Sequence, residues 1–468
     1  MLPLRDVSLL LLLAACGCSR SGGEPTADAP RDDALVAAAT SEDAASGDNS
    51  SADRADFARQ LAMLTRQAED HERRGYFANA IVSRKEITQL LEAQYGADAW
   101  ETRTAQLALA RQSQLHELEP IQRAKNDESN AREQRARQLW QLGKRQEALT
   151  ALSEAHTLAA QVWGEEHYAV ASLIDLQARW QIALGDTAAA EFLFRQALTI
   201  REKVLTALHP DTVSSTSALG LLLQAGGRTS EAEPLLRQTV ERARSLWGEN
   251  HLQYAVHLNN LAMLLHDMNR NAEAVALLQQ TTQIRRDQLG DKHESVAQSL
   301  LNTGTIYYAD QNLAAAGPLF RQALEIFEPT IGGGQAMTRM ARSNLGLTLM
   351  AERHFDEADT LLRADLDWIK KELGENHAEY AEGLSRLVAS YGNQGRYNEA
   401  LPLAERAAEI HRKTAGPDDA HTRAAQELVS KVRSKLGTKP ATDSATTASV
   451  RAPASVARGQ APQNNPRQ

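Results

Sequence analysis

The sequence predicts an all-α chain, a solenoid of about eight helix hairpins with disordered segments at both ends. Three observations predict it. Turn residues recur every 42 positions, at Gly143, Gly185, Gly227, Asn269, Gln311, Arg353 and Gly395, and Gly75 heads an earlier copy. Five residues after each of these stands an alanine: Ala80, Ala148, Ala190, Ala232, Ala274, Ala316, Ala358 and Ala400. Between the turns, apolar residues keep helical spacing, as at Leu258, Leu261, Ala262 and Leu265, and no strand-like runs of Val, Ile or Tyr occur. A single hairpin cannot bury both of its apolar stripes, so each copy needs the next one.

Composition narrows the function classes. A formal net charge of −9 argues against a general grip on nucleic acid, which needs a concentrated basic surface. The two cysteines are Cys16 and Cys18, so the rest of the chain has no disulfide and no thiolate metal site.

The chain opens with Met1-Leu2-Pro3-Leu4-Arg5, then an apolar run over 7–15 with leucine at every position from Leu9 to Leu13. A run of about nine residues is too short for a hydrocarbon core of about 30 Å. It has the length of a secretory signal. Residues 1–15 are therefore expected to be a signal peptide. Leu13-Ala14-Ala15-Cys16 resembles the lipobox of bacterial lipoproteins, which implies cleavage before Cys16 and lipidation of that residue. Gly17, where that family's inner-membrane retention signal has Asp, implies the outer membrane of a bacterial envelope. Residues 16–56 follow as a disordered acidic tether, poor in large apolar residues.

The array is expected over 57–437. Seven residues before each turn position the side chain is small: Ala68, Ala136, Ala178, Gly220, Ala262, Gly304 and Gly346, with Val388 the exception. Small residues there let the two helices of a hairpin approach closely. Leu152, Phe194, Leu236, Leu278, Phe320 and Leu362 fill the layer beside them. An insert separates the first two copies and predicts an extra helix at about 102–118, able to bend the array near its N-terminal end. Pro120 breaks it and opens the next helix. A charged helix at about 422–436 suits a cap with a polar outer face. Residues 438–468, with four prolines, are expected to be a disordered basic tail.

These residues resemble tetratricopeptide repeats, in particular the 42-residue kinesin-light-chain type. The likeness is carried by Leu258-Asn259-Asn260-Leu261-Ala262, Glu273-Ala274, Trp247-Gly248-Glu249-Asn250-His251 and Leu289-Gly290-Asp291-Lys292-His293. Thr206 stands where that loop has Gly, and Gly332-Gly333-Gly334 replaces the loop in another unit. The resemblance implies a right-handed superhelix whose first helix in each hairpin lines a concave groove, and a protein or peptide as partner.

Candidate site residues follow from that geometry. Nine residues before the turn stand Asn260, Asn302, Asn344 and then Arg386, a polar ladder in successive units. An Asn amide both donates and accepts, so it can pair with an extended peptide backbone of any sequence; in peptide-binding repeats of this class, Asn takes this role. The same row also fits a solvated face without a ligand. Met263, His266, Tyr308, Leu347 and Met350 lie nearby as groove or core residues. Arg285 reads as a surface residue.

No catalytic, cofactor or metal site is expected. His167, His209, His251, His293 and His377 share one repeat position. Equivalent positions lie on the order of 10 Å apart across packed helices, whereas zinc needs its ligands at about 2 Å. Local capping at a helix start is their expected role. The function expected is an envelope-anchored protein-interaction scaffold that touches the membrane only through its lipid. Two alternatives stay open at this stage: assembly through the convex surface, and contact with envelope polymer through the basic tail.

Overall fold

A computed structural model of the chain describes residues 51–97, 99–331 and 336–437. Cys16, the signal peptide, most of the tether, the Gly332-Gly333-Gly334 loop and the tail from 438 lie outside these residues. The described residues form eighteen α-helices and no strand. In chain order they are α1 (Ser51–Arg73), α2 (Phe77–Tyr95), α3 (Trp100–Glu117), α4 (Pro120–Gln141), α5 (Arg145–Trp163) and α6 (Tyr168–Ala183). Then come α7 (Thr187–Val204), α8 (Pro210–Ala225), α9 (Thr229–Trp247), α10 (Leu252–Asp267), α11 (Asn271–Leu289) and α12 (Glu294–Ala309). The last six are α13 (Leu313–Ile331), α14 (Ala336–Ala351), α15 (Phe355–Glu372), α16 (Ala378–Asn393), α17 (Tyr397–Ala415) and α18 (Ala420–Lys435). The first helix begins at Ser51, so residues 51–56, expected to belong to the tether, are helical.

The helices fall into two compact units divided between His354 and Phe355. In the first, α1/α2, α4/α5, α6/α7, α8/α9, α10/α11 and α12/α13 pack as hairpins, α3 packs on α2, and α14 packs on α13. In the second, α16/α17 is a hairpin, α15 packs on α16 and α18 on α17.

The repeat register follows from backbone sterics. Every turn position has positive φ: 74° at Gly75, 77° at Gly143, 84° at Gly185, 75° at Gly227 and 74° at Gly395. The non-glycine members do the same, at 59° for Asn269, 61° for Gln311 and 67° for Arg353. The eight alanines five residues on are all fully buried. Facing them, an added Cβ on Gly220 would sit 2.7 Å from Leu236 Cδ2, and one on Gly304 would sit 2.7 Å from Phe320 Cε1. Those distances are far inside van der Waals contact, so the small residues set how closely the two helices of a hairpin pack.

The repeat histidines are caps. In His167, His209, His251, His293 and His377, Nδ1 accepts the backbone N–H two residues on, from Ala169, Asp211, Gln253, Ser295 and Glu379. This satisfies one of the orphan donors at each helix start.

Two buried arginines pin neighbouring repeats, and one of them, Arg285, corrects the sequence reading. Arg201 Nη1 donates to Asp175 Oδ1 (3.0 Å), Asp211 O (3.1 Å) and Ser215 Oγ. Burial alone would raise the Asp175 carboxyl, but Arg179 and Arg201 beside it hold it well below the usual carboxylate range. Two repeats later, Arg285 Nη1 donates to Ser295 O (2.8 Å) and Ser299 Oγ (2.7 Å). Arg285 is 6% exposed, not a surface residue, and burial pulls its pKa down to about 10.

The insert helix, expected at 102–118, is α3. It docks on the loops that open later repeats. Thr104 Oγ1 lies 3.0 Å from His209 Nε2, and the Trp100 and His209 rings meet edge to face at 6.4 Å. Farther along, the Arg111 guanidinium lies over the Trp163 ring at 5.7 Å.

Candidate functional site

The first helices of successive hairpins, α8, α10, α12 and α14, touch one another in order and build one wall of the first unit. In α10 every residue from His257 to His266 is buried. Its second-layer neighbours α9 and α11 pack against it, and the flanking wall helices α8 and α12 touch it as well.

The asparagine ladder is consequently not a row of free side chains. Asn260 and Asn302 are 5% and 6% exposed, and Asn344 is half-buried. Asn302 Nδ2 donates to Asn259 Oδ1 at 2.9 Å, which ties α12 to α10. The reading of this row as a solvated face does not hold for Asn260 and Asn302. Asn259, which the sequence reading passed over, is the residue that engages the ladder.

Arg386 does not extend the row as a free cation. It lies on α16 in the second unit, with Asp365 Oδ2 at 3.7 Å and Glu382 Oε2 at 3.6 Å. Two carboxylates balance its charge.

Three residues before each turn runs a second row, Gln224, His266, Tyr308 and Met350. His266 and Tyr308 are legible as groove candidates, while Gln224 is added by the structure. Gln224 Nε2 donates to Asp267 Oδ2 at 2.6 Å, and its Oε1 is buried with no protein donor. Burial raises the Asp267 carboxyl. On His266, Nδ1 lies 2.7 Å from Asn271 Oδ1, while Asn271 Nδ2 donates to Asp310 Oδ1 at 2.5 Å. Because the amide nitrogen of Asn271 is spent on Asp310, its oxygen faces the ring. Nδ1 of His266 therefore donates to that oxygen, and in the neutral ring Nε2 is the acceptor. That Nε2 is buried and has no protein donor. Tyr308 is half-buried, and burial raises its hydroxyl pKa. Met263 is buried, whereas Leu347 and Met350 on α14 are half-buried.

His257, at the other end of α10, stacks on Trp247 with centroids 6.2 Å apart. Burial lowers its pKa to about 4, and its Nδ1 also lacks a protein partner. The wall thus combines apolar surface with unpartnered nitrogens and oxygens at set intervals. Among the described residues, no group of three His, Cys, Asp or Glu side chains is placed to hold a metal ion. No helix among them is long and apolar enough to cross a membrane.

Comparison with known proteins fits this geometry. One tetratricopeptide-repeat family model matches residues 127–203, 211–287 and 253–329, and a second matches 338–379 and 381–421. The chain belongs to the tetratricopeptide repeat proteins. Among solved structures it is similar to a Podosopora anserina kinesin light chain of nearly identical repeats. The two are 26% identical over 46% of this chain and 99% of that one, with a TM-score of 0.41. The apo quorum sensor NprR of B. thuringiensis matches at 13% identity over 79% of this chain and 94% of that one, with a TM-score of 0.52. A Pyrococcus horikoshii signal-transduction ATPase with a tetratricopeptide repeat sensor matches at 12% identity, covering 92% of this chain and 65% of its own, with a TM-score of 0.50. No curated protein matches the chain.

Proposed function

We propose that this chain is a protein-interaction scaffold whose helix wall of α8, α10, α12 and α14 binds an extended segment of a partner protein. Tetratricopeptide repeats generally mediate protein–protein interaction, and this chain carries them over most of its length. The observation that carries the specific reading is the pair of acceptors, Gln224 Oε1 and His266 Nε2, at equivalent positions of adjacent repeats. A buried acceptor without a donor costs about 1–3 kcal/mol. Both side chains are 6% exposed, so an extended peptide meets the acceptors by turning them toward the groove, where its backbone N–H groups supply the missing donors whatever its side chains are. Met263 and the half-buried Tyr308, Leu347 and Met350 add apolar surface. Selection of peptides from a random display library on the wild-type chain, followed by affinity measurements on His266→Phe, tests this reading. Unchanged affinity in folded His266→Phe would move the partner site off the wall, to the convex surface.

The same proposal places the scaffold at a bacterial outer membrane through lipid on Cys16. Support comes from the Leu13-Ala14-Ala15-Cys16 sequence after a short apolar run, with Gly17 following. Several acyl chains on one residue anchor stably, since each buried CH₂ contributes about 0.8 kcal/mol. Cys16→Ser should release the protein from membrane pellets. Retention of that variant after a carbonate wash would remove the lipid anchor from the reading.

A further inference from the structure

The insert helix helps to wall a cavity near the start of the array. Its walls come from the end of α1, the start of α2, the middle of α3 and the first half of α4, and its volume is about 470 Å³. Pockets for small ligands run to roughly 300–1,000 Å³. Four arginines line it, Arg73, Arg84, Arg111 and Arg123, against two carboxylates, Glu72 and Asp127. One carboxylate is already committed, because Arg84 Nε donates to Glu72 Oε1 at 2.9 Å.

The other, Asp127, is exposed to solvent, and the buried side-chain atoms left over in the lining are donors. Arg123 is held rigidly: it lies over the Phe77 ring at 4.9 Å, and its Nη2 donates to His116 O (3.2 Å) and Leu118 O (3.1 Å). Its Nε is buried with no protein acceptor. Gln112 is 3% exposed, lines the same space, and its Nε2 is buried without an acceptor. Asn126 accepts from Trp163 Nε1 at 3.2 Å through its oxygen, so its amide N–H groups are what it has left to offer. Donors at positive potential, fixed by packing, are complementary to an oxyanion.

We propose that this cavity is a binding site for a small oxyanion, a ligand bearing a carboxylate or phosphate group. Gln112 and Arg123 contact the anion directly, and Arg73, exposed on the last turn of α1, attracts it at the mouth. The site stands apart from the helix wall and does not depend on the peptide reading. Because three of its walls are α1, α2 and α4, a bound anion fastens α3 to the array.

The test uses the full chain, with calorimetric titration and hydrogen exchange read on α3. The probes are inorganic phosphate, succinate, and one short peptide made with a free and with an amidated C-terminus. Saturable binding of at least one anion, with slower exchange in α3, is the expected result. Gln112→Met, which keeps the shape and removes the donor, and Arg73→Glu, a surface change that spares the packing, should each weaken binding about tenfold or more. A response to phosphate or succinate identifies a free anion as ligand. A response only to the free-carboxylate peptide identifies a chain terminus. Absence of binding by every probe overturns the site. So does binding that both variants leave unchanged, which would mark an adventitious ion on surface arginines only.

Discussion

His209 Nε2 and Thr104 Oγ1, 105 residues apart in sequence, meet at 3.0 Å in a buried contact. The direction of the proton follows from the neighbours. His209 Nδ1 accepts from Asp211 N at 3.1 Å, so the ring proton sits on Nε2 and points at Thr104. The Thr104 hydroxyl in turn donates to Trp100 O at 2.7 Å. Thr104→Val keeps the volume but deletes the bond between His209 and the hydroxyl, at a cost of about 0.5–1.5 kcal/mol. Thr104→Ser should keep the bond. Hydrogen exchange in α3 is the measurement, because repeat arrays open locally. Equal protection in Thr104→Val and wild type would mean that this contact does not hold α3 in place.

Thr206 occupies the loop position that carries glycine in other units, and its φ is 102°. Gly164, Gly248 and Gly290 hold the same position at 85°, 82° and 83°. A β-branched residue in that region is strained, and such strain costs of the order of 1–3 kcal/mol. Thr206→Gly should therefore raise the thermal midpoint, while Gly290→Thr should lower it. A lower midpoint for Thr206→Gly would show that its side chain contributes more than its backbone costs.

The repeat register was legible because it is written by sterics at single positions. The turn residues Asn269, Gln311 and Arg353 were placed by spacing alone, and the structure puts each of them at positive φ. The helix-capping histidines were legible for the same reason. The buried polar contacts were not. Arg285 looks like a surface residue on α11, since its burial is created by Ser295 and Ser299 of the next repeat. A signal was present: Arg201 with Ser215, and Arg285 with Ser299, share a spacing of 14 residues. Asn302 was misjudged in the same way, because its exposure depends on Asn259 in the neighbouring helix. Arg285→Ala should accordingly cost about 1–3 kcal/mol, as it strips donors from a buried hydroxyl and carbonyl. Ala274→Leu should cost a similar amount by overpacking the hairpin, about 1–3 kcal/mol. Chemical denaturation of both variants checks this, and a wild-type midpoint for Arg285→Ala would contradict the buried contact.

The wall makes a prediction in which stability and affinity part company. Asn302→Ala should destabilise the free protein by about 1–3 kcal/mol, because Asn259 Oδ1 loses its donor. The acceptors should behave differently. Gln224→Met and His266→Phe each remove one hydrogen bond to a neighbour, worth about 1 kcal/mol, but each also removes a buried acceptor that lacks a donor, which recovers a similar amount or more. The double variant should thus melt close to wild type. Its affinity for a peptide selected on the wild-type chain should nevertheless fall. If each acceptor takes a backbone N–H worth about 0.5–1.5 kcal/mol, the two together account for roughly fivefold to a hundredfold. N-methylation of the peptide at the contacting residues should produce the same loss. Combining methylated peptide with the double variant should add little further, since both changes delete the same bonds. Fully additive losses would mean that the peptide N–H groups and these two side chains are not partners, and the wall would then bind, if at all, through its apolar residues alone.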